Sequence, residues 1–493
     1  MLCKPVIMVK RNAFLLFISL LMVGSPTIAQ DSLLLLRSDG INIPGLKVAG
    51  LHYTKWKAFN KMGLSQNAGV PDTPVKKRFG RAAGGLMLGE MTPLLVDRYI
   101  RNMDYARISF RTVGKNLSPG SWSWDGDGFT TNQFGHPYHG SLFFNAFRVN
   151  GYGFWQSSYA VFAGSYLWET FAENQAPAPN DFINTGFGGI IMGEMTYRLS
   201  NMIVNNRRRG FRRQASEVLA FIINPMNGIS RVADGKWGKI TANSVQRDSS
   251  KMYTEFDIGL RKYRFNNGNG NFGLYAHLKF LYGSPYENYK TPFSNIYINT
   301  EFGRDDSSLI NMVNIHGSVM GWPLSSRQKY QHLLLLTANY DYIRNQAFFY
   351  SGQSMKLNLH STFNLSPKLK INTTAGASLV LLASVPNPRL YKGRYYDYCS
   401  GVGFSGSGTI GFANHFFYSI NYRGGWLKTI NGNSSHYFLH TITSELRYSF
   451  LDGFSLCAEP GYFSLQGYYK QYGEITNVYP YLRVSARYSF NIK

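Results

Sequence analysis

Two histidines, three glutamates, an aspartate and two arginines stand among apolar residues between positions 132 and 198. They are His136, His139, Glu169, Glu173, Glu194, Asp181, Arg148 and Arg198, with Asn132, Trp168 and Asn180 between them. Imidazoles beside carboxylates suit zinc or a di-metal centre on packed helices. The Glu-x-x-His pair that would mark such a centre is missing, so no metal ligand set is assigned from spacing and the cofactor stays unknown. The reading preferred is a buried polar network that fixes helices or binds a ligand. Buried charges need partners, and Glu194 with Arg198, or Glu169 and Glu173 with Arg148, would supply them. Whether the chain is an enzyme stays open.

The elements that hold these residues are helical. Pro137 suits a first helical position with His136 just before it. Trp155, Tyr159, Phe162, Tyr166, Glu169 and Glu173 recur at steps of three and four, which places them on one stripe that Pro177 and Pro179 end. A second helix is expected from about Gly188 through Ile191, Met195 and Met202. A third is expected from about Phe211 to Asn224-Pro225. Before the third, Arg207, Arg208, Arg209, Arg212 and Arg213 make a basic run. It is a candidate anion site for lipopolysaccharide phosphates or an acidic glycan, or else a solvated loop.

After about Ser250 the period changes to two. Leu274, Ala276, Leu278, Phe280 and Tyr282 alternate with Tyr275, His277 and Lys279, and the chain closes on Leu482, Val484, Ala486, Tyr488, Phe490 and Ile492 against polar partners. One face suits lipid and the other a polar lumen. About twelve such strands can be counted, or fourteen if Ala106–Thr112 and another early strand join. The fold class is therefore mainly β: a transmembrane antiparallel barrel with a helical insert plugging or capping its lumen. A lumen of that width needs water or a plug. The expected divisions are 1–29, a signal peptide with basic Lys4, Lys10 and Arg11; 30–131, a mixed segment with possible early strands, among them Leu46–Tyr53; 132–235, the helical domain; and 236–493, the barrel.

The helical stretch also resembles a known family, the bacterial envelope "domain of unknown function 3943". The resemblance is carried by Asn132, Gly135, His136, Pro137, Gly140, Arg148, Ser158, Ser165, Trp168, Glu169, Glu173, Asn180, Asp181, Thr185, Gly193 and Glu194. Ala178-Pro179 stands where the family more often has Pro-Ser. The resemblance implies the domain and no reaction. A shorter one, His139-Gly140-Ser141, is similar to the His-x-Ser spacing of outer-membrane phospholipase and implies lipid hydrolysis only if His139 activates Ser141.

The formal net charge is +24, and losing three basic residues with the signal leaves +21. Such an excess attracts anions, which at an outer membrane are lipid phosphates or acidic glycans rather than nucleic acid. The expectation is a bacterial outer-membrane protein for binding, transport or envelope maintenance involving anionic lipid or glycan. The alternative is a membrane-embedded hydrolase or metal-dependent enzyme using the His/Glu/Asp cluster.

Overall fold

The computed structural model describes residues 76–241, 252–303, 309–327, 329–345 and 349–492. The expected signal segment and the expected strand at Leu46–Tyr53 lie outside them. Among the described residues the chain forms two compact units, one of residues 76–195 with those from 252 onward, the other of residues 196–241.

Twelve antiparallel strands close into one barrel, β1 pairing with β12 and every other strand with its neighbours in sequence. They are β1 (Met252–Tyr263), β2 (Asn271–Tyr282), β3 (Ile296–Gly303), β4 (Ile310–Ser326), β5 (Tyr330–Arg344) and β6 (Phe349–Ser366). Then come β7 (Leu369–Tyr391), β8 (Arg394–Phe412), β9 (Phe416–Asn431), β10 (Ser435–Leu451), β11 (Phe454–Tyr469) and β12 (Gly473–Ile492). The two-residue alternation is what makes this closure possible, since each strand offers an apolar and a polar face.

Cross-barrel contacts identify the inner face. Arg423 on β9 reaches Asp341 on β5 at 2.9 Å, and Arg487 on β12 reaches Glu445 on β10 at 2.6 Å and Asp257 on β1 at 2.6 Å. These strands are not all neighbours, so the side chains must meet in the lumen. The opposite face of β8 exposes Val402, Phe404, Ile410 and Phe412, and β9 and β10 expose Phe416, Tyr418, Ile420, Ile442, Leu446 and Phe450. Val402 to Phe412 spans about 28 Å at the usual rise and tilt, close to the hydrocarbon band of a membrane barrel.

Helices precede the barrel, as expected. The first unit holds α1 (Phe79–Leu95), α2 (Phe110–Asn116), α3 (His136–Arg148), α4 (Phe154–Leu167) and α5 (Pro179–Ile183), and α6 (Gly189–Ile203) begins in it. The second unit adds α7 (Gly210–Ile223) and α8 (Pro225–Ala233). Ala106–Thr112 is not a strand. Asp104–Ala106 is a 3-10 turn, and Ser109 and Thr112 form a reciprocal cap that starts α2. The cap satisfies the first backbone donors locally, which a seven-residue alternation cannot do without a partner strand.

The expected plug is corrected by side-chain direction. Asp341 and Asp397 point inward, Asp397 accepting from Tyr437 of β10 at 2.8 Å. Their neighbours Tyr340, Tyr396 and Tyr398 therefore point outward, and these are the residues the helical segment meets: Tyr340 donates to the Gln133 carbonyl at 2.5 Å. Asn132 donates to Tyr396 at 2.9 Å and Tyr398 at 2.7 Å. Gln353 donates to Asn184 at 3.0 Å, while the next residue, Ser354, shares the inward parity of Lys356. The helices thus cover the outer wall of β5, β6 and β8 beyond the lipid-facing band. Side chains of the strands themselves pack into the lumen. An apolar cluster drawn from nine strands, with Tyr263, Tyr350, Leu427, Tyr437, Phe463 and Tyr479 among its members, crosses the barrel at the end remote from Ile492. Two cavities in the lumen measure ≈ 30 and ≈ 10 Å³, room for a water or two.

Candidate functional site

Helix α3 packs closely on the turn after α5 and on the start of α6 because small residues let their backbones approach. A Cβ on Gly140 would run into the Thr185 carbonyl, and one on Gly189 would lie 2.6 Å from the Gly140 Cα. At this junction the helices are interrupted by π-helical turns, Thr131–Gly135, Trp168–Ala172 and Asn184–Gly188. Each turn carries one extra residue and so re-aims the side chains that follow it, a feature frequent at functional sites.

The turns bring His136, Glu169 and Asp181 together, with one potential ligand atom of each within 4.8 Å of the others. His136 Nε2 lies 3.3 Å from Asp181 Oδ1, and its Nδ1 lies 3.3 Å from the Thr185 hydroxyl. Asn180 donates to both Asp181 at 2.8 Å and Asp125 at 2.7 Å. Asn132 also donates to Asp125, at 2.8 Å, and Arg394 of the barrel wall donates to the Asp125 carbonyl at 2.9 Å. Glu169 Oε2 accepts the Ala178 amide at 2.9 Å, and Glu173 accepts the Trp168 indole N–H at 2.6 Å.

This centre is buried and acidic. Among the described residues no Lys or Arg forms an ion pair with Glu169, Glu173 or Asp181. Burial, then the charge of Glu173, holds the Glu169 carboxyl well above its usual range. Burial, then Asp125 and Glu169, does the same to Asp181. Burial pushes Glu173 up to about 7 against the stabilising indole hydrogen bond.

Several expected partners are reassigned. Arg148 pairs with Glu194 at 2.8 Å, not with Glu169 or Glu173, because α3 and the start of α6 lie side by side while Glu169 is turned away. His139 does not join His136: its Nε2 bonds the Gly89 carbonyl at 3.0 Å, its ring meets Trp168 edge-on, and burial lowers its pKa to about 4. Ser141 donates to the Tyr138 carbonyl at 2.6 Å, so the His139–Ser141 hydrolase pair is not assembled. Of the basic run, Arg213 is buried against Glu217 at 2.6 Å and the carbonyls of Lys236 and Lys239. Arg207, Arg209 and Arg212 are exposed and Arg208 half-buried. Sequence reasoning missed Asp125, Tyr396 and Tyr398. The Asp-Gly-Asp-Gly segment reads as a turn, and nothing in a strand's alternation marks an outward tyrosine as a helix contact.

Residues 121–226 match the family model described as "Domain of unknown function (DUF3943)". The match takes in His136, Glu169 and Asp181 and assigns no activity. No curated protein is significantly similar to the chain. Among solved structures, the NanC porin is similar with a TM-score of 0.29 and 9 % identity, over 46 % of this chain and 98 % of that one. The KdgM porin is similar with a TM-score of 0.24 and 15 % identity, over 48 % of this chain and 99 % of that one. The outer membrane channel DcaP of Acinetobacter baumannii is similar with a TM-score of 0.23 and 8 % identity, over 49 % of this chain and 96 % of that one. At such scores nothing about ligand or conduction transfers.

Proposed function

We propose that this chain is a bacterial outer-membrane barrel protein that acts by binding at its helical domain rather than by conducting solutes. The observation that carries the reading is the apolar cluster in the lumen, with buried side chains from nine strands, tyrosines and leucines prominent among them, packed where an open pore would need water. The exposed apolar band on the wall supports a membrane setting. Polar groups converge instead at the helical centre around His136, Asp181 and Asn132, held from one side by Tyr396 and Tyr398.

An anionic lipid headgroup, lipopolysaccharide or an acidic glycan is the partner class that the second unit supports. Exposed Arg207, Arg209 and Arg212 flank Phe211, which is 85 % exposed, an arrangement of cations beside an apolar side chain that suits a lipid surface. Arg213 serves the fold instead, locked to Glu217.

The test is ionic current across a planar bilayer holding the purified chain. Insertion without steady current is the expected result. A stable ohmic conductance would overturn the reading and favour transport.

A further inference from the structure

We propose that His136, Glu169 and Asp181 bind a divalent first-row transition-metal ion. The inference rests on the proposed role of the helical centre as a binding site and names its ligand.

The geometry is that of a ligand set. A four-coordinate ion with bonds of about 2.0 to 2.1 Å separates its ligand atoms by about 3.3 Å, and the His136 Nε2 to Asp181 Oδ1 distance is 3.3 Å. Glu169 offers Oε1, since only its Oε2 is taken, by the Ala178 amide. One ligand stands directly after a π turn, one within a π turn, and one in a helix that runs into a π turn. Three such interruptions serve the same few ångströms, and π turns of this kind are frequent at functional sites.

The surroundings are those of a metal shell as well. Thr185 takes the Nδ1 side of His136, which leaves Nε2 as the ligating nitrogen when Nδ1 carries the proton, and Asn180 braces Asp181. Asn132 Oδ1 is fully buried, lies in the side chain that bonds Asp125, and accepts no hydrogen bond among the described residues. An ionised carboxylate taken out of water is costly unless compensated, and among the described residues no Lys or Arg pairs with this group. A bound dication supplies that compensation. One imidazole with carboxylates selects an ion such as zinc, manganese or iron(II) over calcium or magnesium, which prefer all-oxygen shells.

The experiment uses the full mature chain in detergent, stripped with chelator, reloaded separately with Zn²⁺, Mn²⁺, Fe²⁺ or Co²⁺, and freed of excess ion. Metal content is read by mass spectrometry, the Co²⁺ form by its visible absorption, and folding by heat-modifiable migration. About one ion per chain is expected, with affinity falling at least tenfold in Asp181→Asn and His136→Ala. Glu90→Gln, a buried carboxyl on α1 outside the cluster, should keep the ion. The proposal is overturned by folded wild type that retains none of the four ions, or by folded Asp181→Asn that binds the ion as tightly as wild type. Should the variants not fold, retention and the Co²⁺ spectrum of the wild type decide. Failure here leaves the closed lumen untouched, because current and metal content are read separately.

Discussion

Glu90 on α1 is 5 % exposed and neither of its carboxylate oxygens has a hydrogen-bond partner among the described residues. Burial raises its pKa from 4.5 to about 8. The folded state therefore holds a proton that the unfolded chain releases near its ordinary value. Stability from this group is full below pH 4.5, falls by about 1.4 kcal/mol per unit as pH climbs, and levels off above the folded pKa. Glu90→Gln should flatten that slope. Its melting temperature is expected to exceed that of wild type at pH 8.5 and to match it at pH 5, which scanning calorimetry or circular dichroism would read. A gain equal at both pH values would show that Glu90 does not change protonation between them and would contradict this account of its burial. At this scale the sequence exposed the polar side chains correctly as a group, because imidazoles and carboxylates among apolar residues have few innocent explanations. It could not sort them. His136 and His139 are three positions apart on one helix, yet one faces Asp181 and the other pins α1.

The π turns explain why periodicity misled at the next scale up. Counting by threes and fours put Trp155, Tyr159, Tyr166 and Glu169 on one stripe. In the structure the three aromatics are exposed, Tyr159 at 77 %, while Glu169 is buried. The turn at Trp168–Ala172 inserts a residue and rotates Glu169 off the stripe toward His136. No local residue preference announces such an insertion, so helices α3, α6 and α7 were legible while the site built between them was not. Helix α1 was missed because its apolar residues are diluted by Gly80, Gly84, Gly85 and Gly89. The crossing at Gly140 gives a test. Gly140→Ala should cost about 3 kcal/mol by forcing α3 away from the Thr185 carbonyl. Gly84→Ala on α1, whose new methyl meets nothing within 4 Å, should gain about 0.5 to 1 kcal/mol through helix propensity. Chemical denaturation of the pair would measure both, and equal effects would contradict the close crossing.

For the whole molecule, alternation in sequence revealed which residues share a strand face and put the strand number at about twelve, with fourteen left open. It did not reveal what fills the lumen. A two-residue period is the same whether the inner face meets water, a plug or its own opposite wall, and here Arg423 and Asp341 meet across the barrel. It was equally blind to the two zones of the outer wall, lipid-facing at Val402–Phe412 and helix-covered at Tyr396 and Tyr398. Binding at the helical domain depends on that covered zone. The most direct measurement is thiol cross-linking in membranes with a short bifunctional maleimide, in a background carrying Cys399→Ser and Cys457→Ser. Asn184→Cys should join Gln353→Cys, whose native side chains are 3.0 Å apart on the outer wall, and should not join the inward-facing Ser354→Cys. Cross-linking to position 354 in place of 353 would put the helices inside the lumen and contradict the account.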